Sequence, residues 1–118
     1  MPAFGKDGLL PRKDVLTLAD YVLSIAGLPY EKGADLAAGK KLFAANCAAC
    51  HGEQGKGNQE VGAPNLTDKV WLYGGDRASI IERITIGGGG VMPSWGNRLD
   101  KATIKSLTVY VHSLGGGQ

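Results

Sequence analysis

Apolar residues recur at helical spacing in four stretches of this chain, separated by polar and glycine-rich segments. Val15, Leu16, Leu18, Tyr21, Val22 and Ile25 form the first stripe, with Pro11 suited to an opening turn and Gly27 and Pro29 to a stop. Asp35 is placed to cap a second helix from Leu36 to about Ala45. Asp76 precedes a third, carrying Ile80, Ile81 and Ile84 and halted by the run Gly87 to Gly90. Asp100 precedes the last, where Ile104, Leu107, Val111 and Leu114 sit at i, i+3, i+7 and i+10. No β-rich region interrupts this pattern. The segment from Gly52 to about Thr67 reads as a long polar loop, and a loop of that length in a small domain usually serves a function.

The chain also resembles itself. Met1-Pro2-Ala3-Phe4-Gly5 parallels Met92-Pro93-Ser94-Trp95-Gly96. After a two-residue gap, Val15, Leu18, Tyr21-Val22 and Ser24 align with Ile104, Leu107, Tyr110-Val111 and Ser113. Two amphipathic helices can look alike by chance, but the shared starts and the shared Tyr-Val-x-Ser favour a true repeat. Residues 1–30 then read as the C-terminal fragment of a preceding domain, and residues 31–118 as a complete domain of the same type.

With 118 residues and 19 glycines, the polypeptide has little apolar material for a core of its own. A formal charge of +2, without a basic run, gives no footprint for nucleic acid. No stretch reaches the ~18 apolar residues of a membrane span, and the best, Val15 to Leu28, contains Asp20.

The chemistry lies in Cys47-Ala48-Ala49-Cys50-His51. C-x-x-C-H is the attachment site of a c-type haem, its thiols adding to the two vinyl groups and its histidine meeting the iron. A thioredoxin-like disulfide would belong near a βαβ pattern with a low-pKa thiolate. A structural zinc needs about four ligands, whereas this chain has two cysteines and one further histidine, His112. Plain buried cysteines would have no use for His51. One covalent haem c is the cofactor expected, and it would supply the missing apolar centre. Haem c is attached outside the cytoplasm, yet no secretory signal opens the sequence. A signal or anchor is therefore expected upstream, in a longer protein.

A sixth ligand is sought downstream. Met92 is the one methionine after His51; it precedes Pro93 and follows the glycine run. Proline holds the preceding residue extended, glycines permit close approach to the porphyrin, and a thioether suits reduced iron. His/Met ligation favours electron transfer over oxygen chemistry. The plain alternative is Met92 as core filler.

Gly39, Phe43, Cys47 to His51, Pro64-Asn65-Leu66 and Met92-Pro93 together resemble the class I cytochrome c framework. The resemblance implies an all-α fold with helices packed around one covalently attached haem c. It further implies that Gly39 and Phe43 pack against Leu107 and Tyr110, and that the Pro64 carbonyl accepts from the His51 ring. A closer likeness runs through Asn46 to Gly52, Gly62 to Asp68, Trp71-Leu72-Tyr73-Gly74-Gly75, Gly90 to Trp95 and Tyr110 to Leu114. These segments resemble the membrane-anchored dihaem subunit of cbb3-type cytochrome c oxidases, which carries two tandem cytochrome domains. Gly88 departs from that pattern, standing where a basic residue is expected, so the contacts of the haem propionates are open. Trp71 and Trp95 are candidates for the haem edge or a propionate, with a plain core role equally open, and His112 reads as a surface residue.

The resemblance implies a periplasmic electron relay whose partners are oxidase subunits and an electron-donating cytochrome, with no active site of its own. The alternatives are a haem domain of another periplasmic enzyme, a free carrier, or a ligand-binding haem sensor in which Met92 is off the iron.

Overall fold

The computed structural model describes residues 1–115, so the last three residues of the segment read as a complete domain lie outside it. Five α-helices form: α1 (Arg12–Ile25), α2 (Leu36–Asn46), α3 (Ala48–His51), α4 (Arg77–Ile86) and α5 (Lys101–Ser113). A 3-10 turn, Gln59–Val61, stands in the long loop. No strand occurs among the described residues, where Asn58 and Ala63 make an isolated antiparallel bridge. The fold is all-α, as the hydrophobic periodicity requires.

The caps anticipated from sequence are formed. Asp35 accepts from the Ala38 amide at 2.9 Å, Asp76 from Ser79 at 3.1 Å and Asp100 from Thr103 at 2.9 Å. Each satisfies one of the amides that a helix start leaves without a partner. The structure adds α3, a single turn too short to show in hydrophobic periodicity.

The core is built by α1 lying across α2 and α4. Val15, Leu18 and Leu23 are almost wholly buried, with Ala19 and Val22 beside them and Phe43 and Ile80 facing them. Burying each larger side chain contributes about 1.5–3 kcal/mol. Gly39 makes the crossing possible, because a Cβ there would stand 2.6 Å from the Cβ of Tyr21 and 3.0 Å from the Thr17 carbonyl oxygen. The Tyr21 ring then meets Phe43 at 5.5 Å between centroids, tilted by 55°. Asp20, the one buried charged residue among those described, is paired with Arg77.

This arrangement corrects the expected packing. Gly39 and Phe43 do not meet Leu107 and Tyr110; they meet Tyr21 of α1. The helix of the N-terminal segment rests on α2 and α4, in the place expected for the last helix. No residue of α5 is buried, and Leu107, Tyr110 and Val111 are 46%, 61% and 61% exposed. With α5 standing off, the radius of gyration is 17.1 Å, against about 13.5 Å for a compact chain of this length. The physical reason is partner quality. In the repeat register Asp20 falls on Val109 and Leu23 on His112, so α1 alone brings a carboxylate to Arg77 and an apolar side chain to the fully buried position.

Candidate functional site

The site begins where α2 ends. The Cys47 amide donates to the Phe43 carbonyl at 2.8 Å, holding Cys47 on the last turn of α2 beside the core. The Cys50 and His51 amides donate back to the Cys47 carbonyl at 3.2 and 2.9 Å, winding the motif into α3. Cys47 and His51 are thus one helical turn apart, the spacing that brings residues i and i+4 onto one face.

Burial, and then the neighbouring Cys50, push the Cys47 thiol up to about 11. A thiol-disulfide catalyst needs the reverse, a thiolate stabilised near neutral pH. The C-x-x-C pair is therefore poorly suited to that chemistry. Among the described residues, no cluster of histidine, cysteine and carboxylate side chains could hold a metal ion by itself.

His51 is oriented by the loop that follows it. Its Nδ1 lies 2.9 Å from the Pro64 carbonyl oxygen, an acceptor, which places the ring proton on Nδ1 and leaves the Nε2 lone pair unused. The loop is brought back to the ring by paired Asn58–Ala63 backbone bonds of 2.9 Å and by the Gly57 amide donating to the His51 carbonyl at 2.8 Å. Position 57 requires glycine, since its φ is +86° and a Cβ would stand 2.7 Å from the Ala63 carbonyl oxygen.

The remaining sequence candidates separate. Trp71 is half-buried at the edge of the core, its indole N–H donating to the Asp68 carbonyl at 3.2 Å. Trp95 is 41% exposed, with the Arg98 guanidinium 5.4 Å from its ring centroid. Met92 is 84% exposed on the loop after the glycine run, and His112 is exposed on α5. Met1, by contrast, lies against that run. Its carbonyl accepts from the Gly88 amide at 2.9 Å, and its amino group donates to the Gly88 carbonyl at 3.2 Å.

Arg83 was not singled out by sequence. Its guanidinium lies 3.9 Å from the Tyr73 ring centroid and donates from Nη1 to the Gly87 carbonyl at 2.9 Å. The same Nη1 is 3.1 Å from where a Cβ on Gly88 would stand. A cation from the last turn of α4 thus stands beside the position where the sequence lacks a basic residue. Its Nε is buried without a hydrogen-bond partner, an arrangement that suits an incoming anion. The signal in the sequence was a lone arginine one turn before a glycine run, too common a pattern to stand out.

The residues present fit a haem: two thiols and an imidazole on one turn, an imidazole Nε2 left unused, and a half-buried cation whose Nε has no hydrogen-bond partner. Residues 34–111 match the family described as cytochrome c oxidase, cbb3-type, subunit III. Along all of its length the chain is 62% identical to the cbb3-type cytochrome c oxidase subunit FixP of Bradyrhizobium diazoefficiens and 58% to FixP of Azorhizobium caulinodans. It is 53% identical to the cbb3-type cytochrome c oxidase subunit CcoP of Cereibacter sphaeroides. It covers 41%, 40% and 40% of these three proteins, so it spans about two-fifths of their length.

Proposed function

Since this chain belongs to the cbb3-type cytochrome c oxidase subunit III family, we propose that it carries one covalent haem c and relays electrons toward the catalytic subunit of such an oxidase. The observation that carries this reading is the α3 turn, with Cys47, Cys50 and His51 brought together and the His51 Nδ1 held by Pro64. A haem bound there supplies a one-electron ferric/ferrous couple. Cys47 and Cys50 tether it, and His51 offers its Nε2 to one face. Pro64 keeps the imidazole from turning and, by accepting its proton in a hydrogen bond, makes the ring a stronger donor to iron.

Met92 is the second axial ligand in this proposal, carried by a glycine-rich loop that can approach a porphyrin plane. Arg83 supplies the cation for a propionate, in the role that Gly88 leaves vacant. Trp71, at the edge of the core, is a wall of the pocket, while Trp95 lies on the Met92 loop. In this proposal residues 1–30 are the tail of a preceding copy and residues 31–118 a second copy, whose α2 and α4 pack here on α1 of the first.

The working place of the domain is the periplasmic face of the inner membrane. Its donor is another cytochrome, and its acceptor lies among the oxidase subunits. No helix among the described residues is long and apolar enough to cross a membrane. Membership of the oxidase family favours this relay over a domain of another periplasmic enzyme, a free carrier or a gas sensor.

Mass measurement under denaturing conditions tests the proposal. The holoprotein should carry the mass of one haem and no titratable thiol. Free Cys47 and Cys50 in the haem-containing protein would exclude covalent attachment.

A further inference from the structure

The carbonyl that orients His51 belongs to a peptide unit with one free hinge. Paired bonds of 2.9 Å between Asn58 and Ala63 fix the backbone as far as Ala63. Their control ends there, because Pro64 has no N–H to bond. The pyrrolidine ring sets φ of Pro64, but rotation about its ψ swings the planar Pro64–Asn65 peptide and turns the carbonyl that faces the imidazole. Whatever holds Asn65 therefore aims the acceptor.

Asn65 is held by its own side chain. Its Oδ1 accepts from the Thr67 amide at 2.9 Å and from the Thr67 hydroxyl at 2.8 Å, closing a local turn of the kind asparagine favours. Between the two residues, the Leu66 amide donates to the Gly55 carbonyl at 2.7 Å and the Leu66 side chain packs at the edge of the core. From the other direction the backbone closes on Gly57, where a Cβ would stand 2.8 Å from both the Asn65 nitrogen and the Pro64 carbonyl carbon. The swinging peptide is thus confined by Gly57 and tied by one carboxamide.

We propose that Asn65 is a positioning residue for the electron relay: locked on Thr67, it keeps the Pro64 carbonyl aimed at His51 and so tunes the iron. This rests on the proposed ligation by His51. A carbonyl aimed at the Nδ1–H draws that proton toward itself and makes Nε2 the stronger donor, which favours ferric iron. A carbonyl free to swing gives less of that pull on average, and the ferrous form gains. Asn65 acts on the iron through Pro64 and His51, at two removes.

Asn65→Ala in the full-length holoprotein tests this, read by redox titration and by the proton resonance of the His51 Nδ1–H in the reduced protein. The reduction potential should rise. The resonance should move upfield and exchange with solvent roughly tenfold faster, as the hydrogen bond is made less often. Thr67→Val removes the hydroxyl bond alone and should shift both readouts the same way by less; Thr67→Ser should restore them. Asn65→Asp keeps the accepting oxygen, so the resonance should stay in place while the added charge lowers the potential. A native resonance in Asn65→Ala overturns the proposal, whether or not the potential moves. If Asn65→Ala does not load haem, Thr67→Val decides, and an unmoved resonance there overturns it equally. A wild-type chain lacking covalent haem would fail the relay itself, a separate result. The His51 tautomer, read from ring nitrogen shifts, then carries the test: Asn65→Ala should lose the preference for Nδ1–H, and an unchanged tautomer ratio counts against Asn65.

Discussion

Arg77 reaches from the start of α4 to grip Asp20 on α1 with two parallel hydrogen bonds, Nε to Oδ1 at 2.8 Å and Nη2 to Oδ2 at 2.9 Å. The Glu31 amide adds a third at 3.1 Å, so one carboxylate ties together two helices and the turn after α1. The Arg77 hydrogen bonds, more than any other influence, hold the Asp20 carboxyl below its ordinary range.

Asp20→Asn should therefore destabilise the protein at pH 7 by about 2 kcal/mol, less than for a fully sealed pair because Arg77 is one-third exposed and can rehydrate. The folded pKa of Asp20 lies below the unfolded value of about 3.9. The stabilisation is thus complete above that value and is lost as the pH falls through the folded pKa. Denaturant unfolding of both proteins at pH 7 and near pH 3 should show the gap closing in acid; a gap independent of pH would mean that the pair is not its source.

Gly39→Ala should lower stability by about 1–3 kcal/mol, since the added methyl would meet the Tyr21 Cβ and the Thr17 carbonyl. Thermal melts of the holoprotein check this. Tyr21→Gly in the same background should relieve part of the loss, because the nearest atom is the Tyr21 Cβ, which alanine would retain; strict additivity would point to a different cause.

Met92→Ala should abolish the weak near-infrared band of a sulfur–iron bond, lower the reduction potential, and allow carbon monoxide to bind the reduced protein. A band that survives this change would identify Met1, the methionine paired with Gly88, as the ligand.

Arg83→Gln should lower the reduction potential, since a cation beside the haem opposes the loss of an electron from iron. It should also raise the pKa of the propionate that Arg83 serves, seen as a displaced break in a plot of potential against pH. Arg83→Lys should restore part of both effects. An unaltered pH profile would limit Arg83 to its stacking on Tyr73 and its bond to Gly87.

The four long helices and the caps at Asp35, Asp76 and Asp100 were legible because they rest on local chemistry: apolar period and a carboxylate one turn before an amide. The contact between His51 and Pro64 was implied by the resemblance, and the His51 Nδ1 does lie against the Pro64 carbonyl. The partner of Gly39 and Phe43 was not legible. The repeat makes α1 and α5 nearly equal candidates, and the choice falls to an ion pair whose members are 57 residues apart. Arg83 was hidden for a similar reason, because its position beside Gly88 comes from the close of α4 and not from any motif. The motif states what chemistry is available; long-range pairing decides which helix stands over it.

The burial that raises the Cys47 thiol to about 11 has a consequence for the chain before it is loaded. At pH 7 Cys47 is then held as the thiol, whereas the thiolate is the form that attacks other sulfur. Closure of Cys47 onto Cys50 must then begin from the exposed Cys50. An oxidising compartment threatens any C-x-x-C pair with a premature disulfide, and the end of α2 slows that loss by keeping its cysteine half-buried. The same apolar packing that supports the core thus preserves the two thiols for the cofactor.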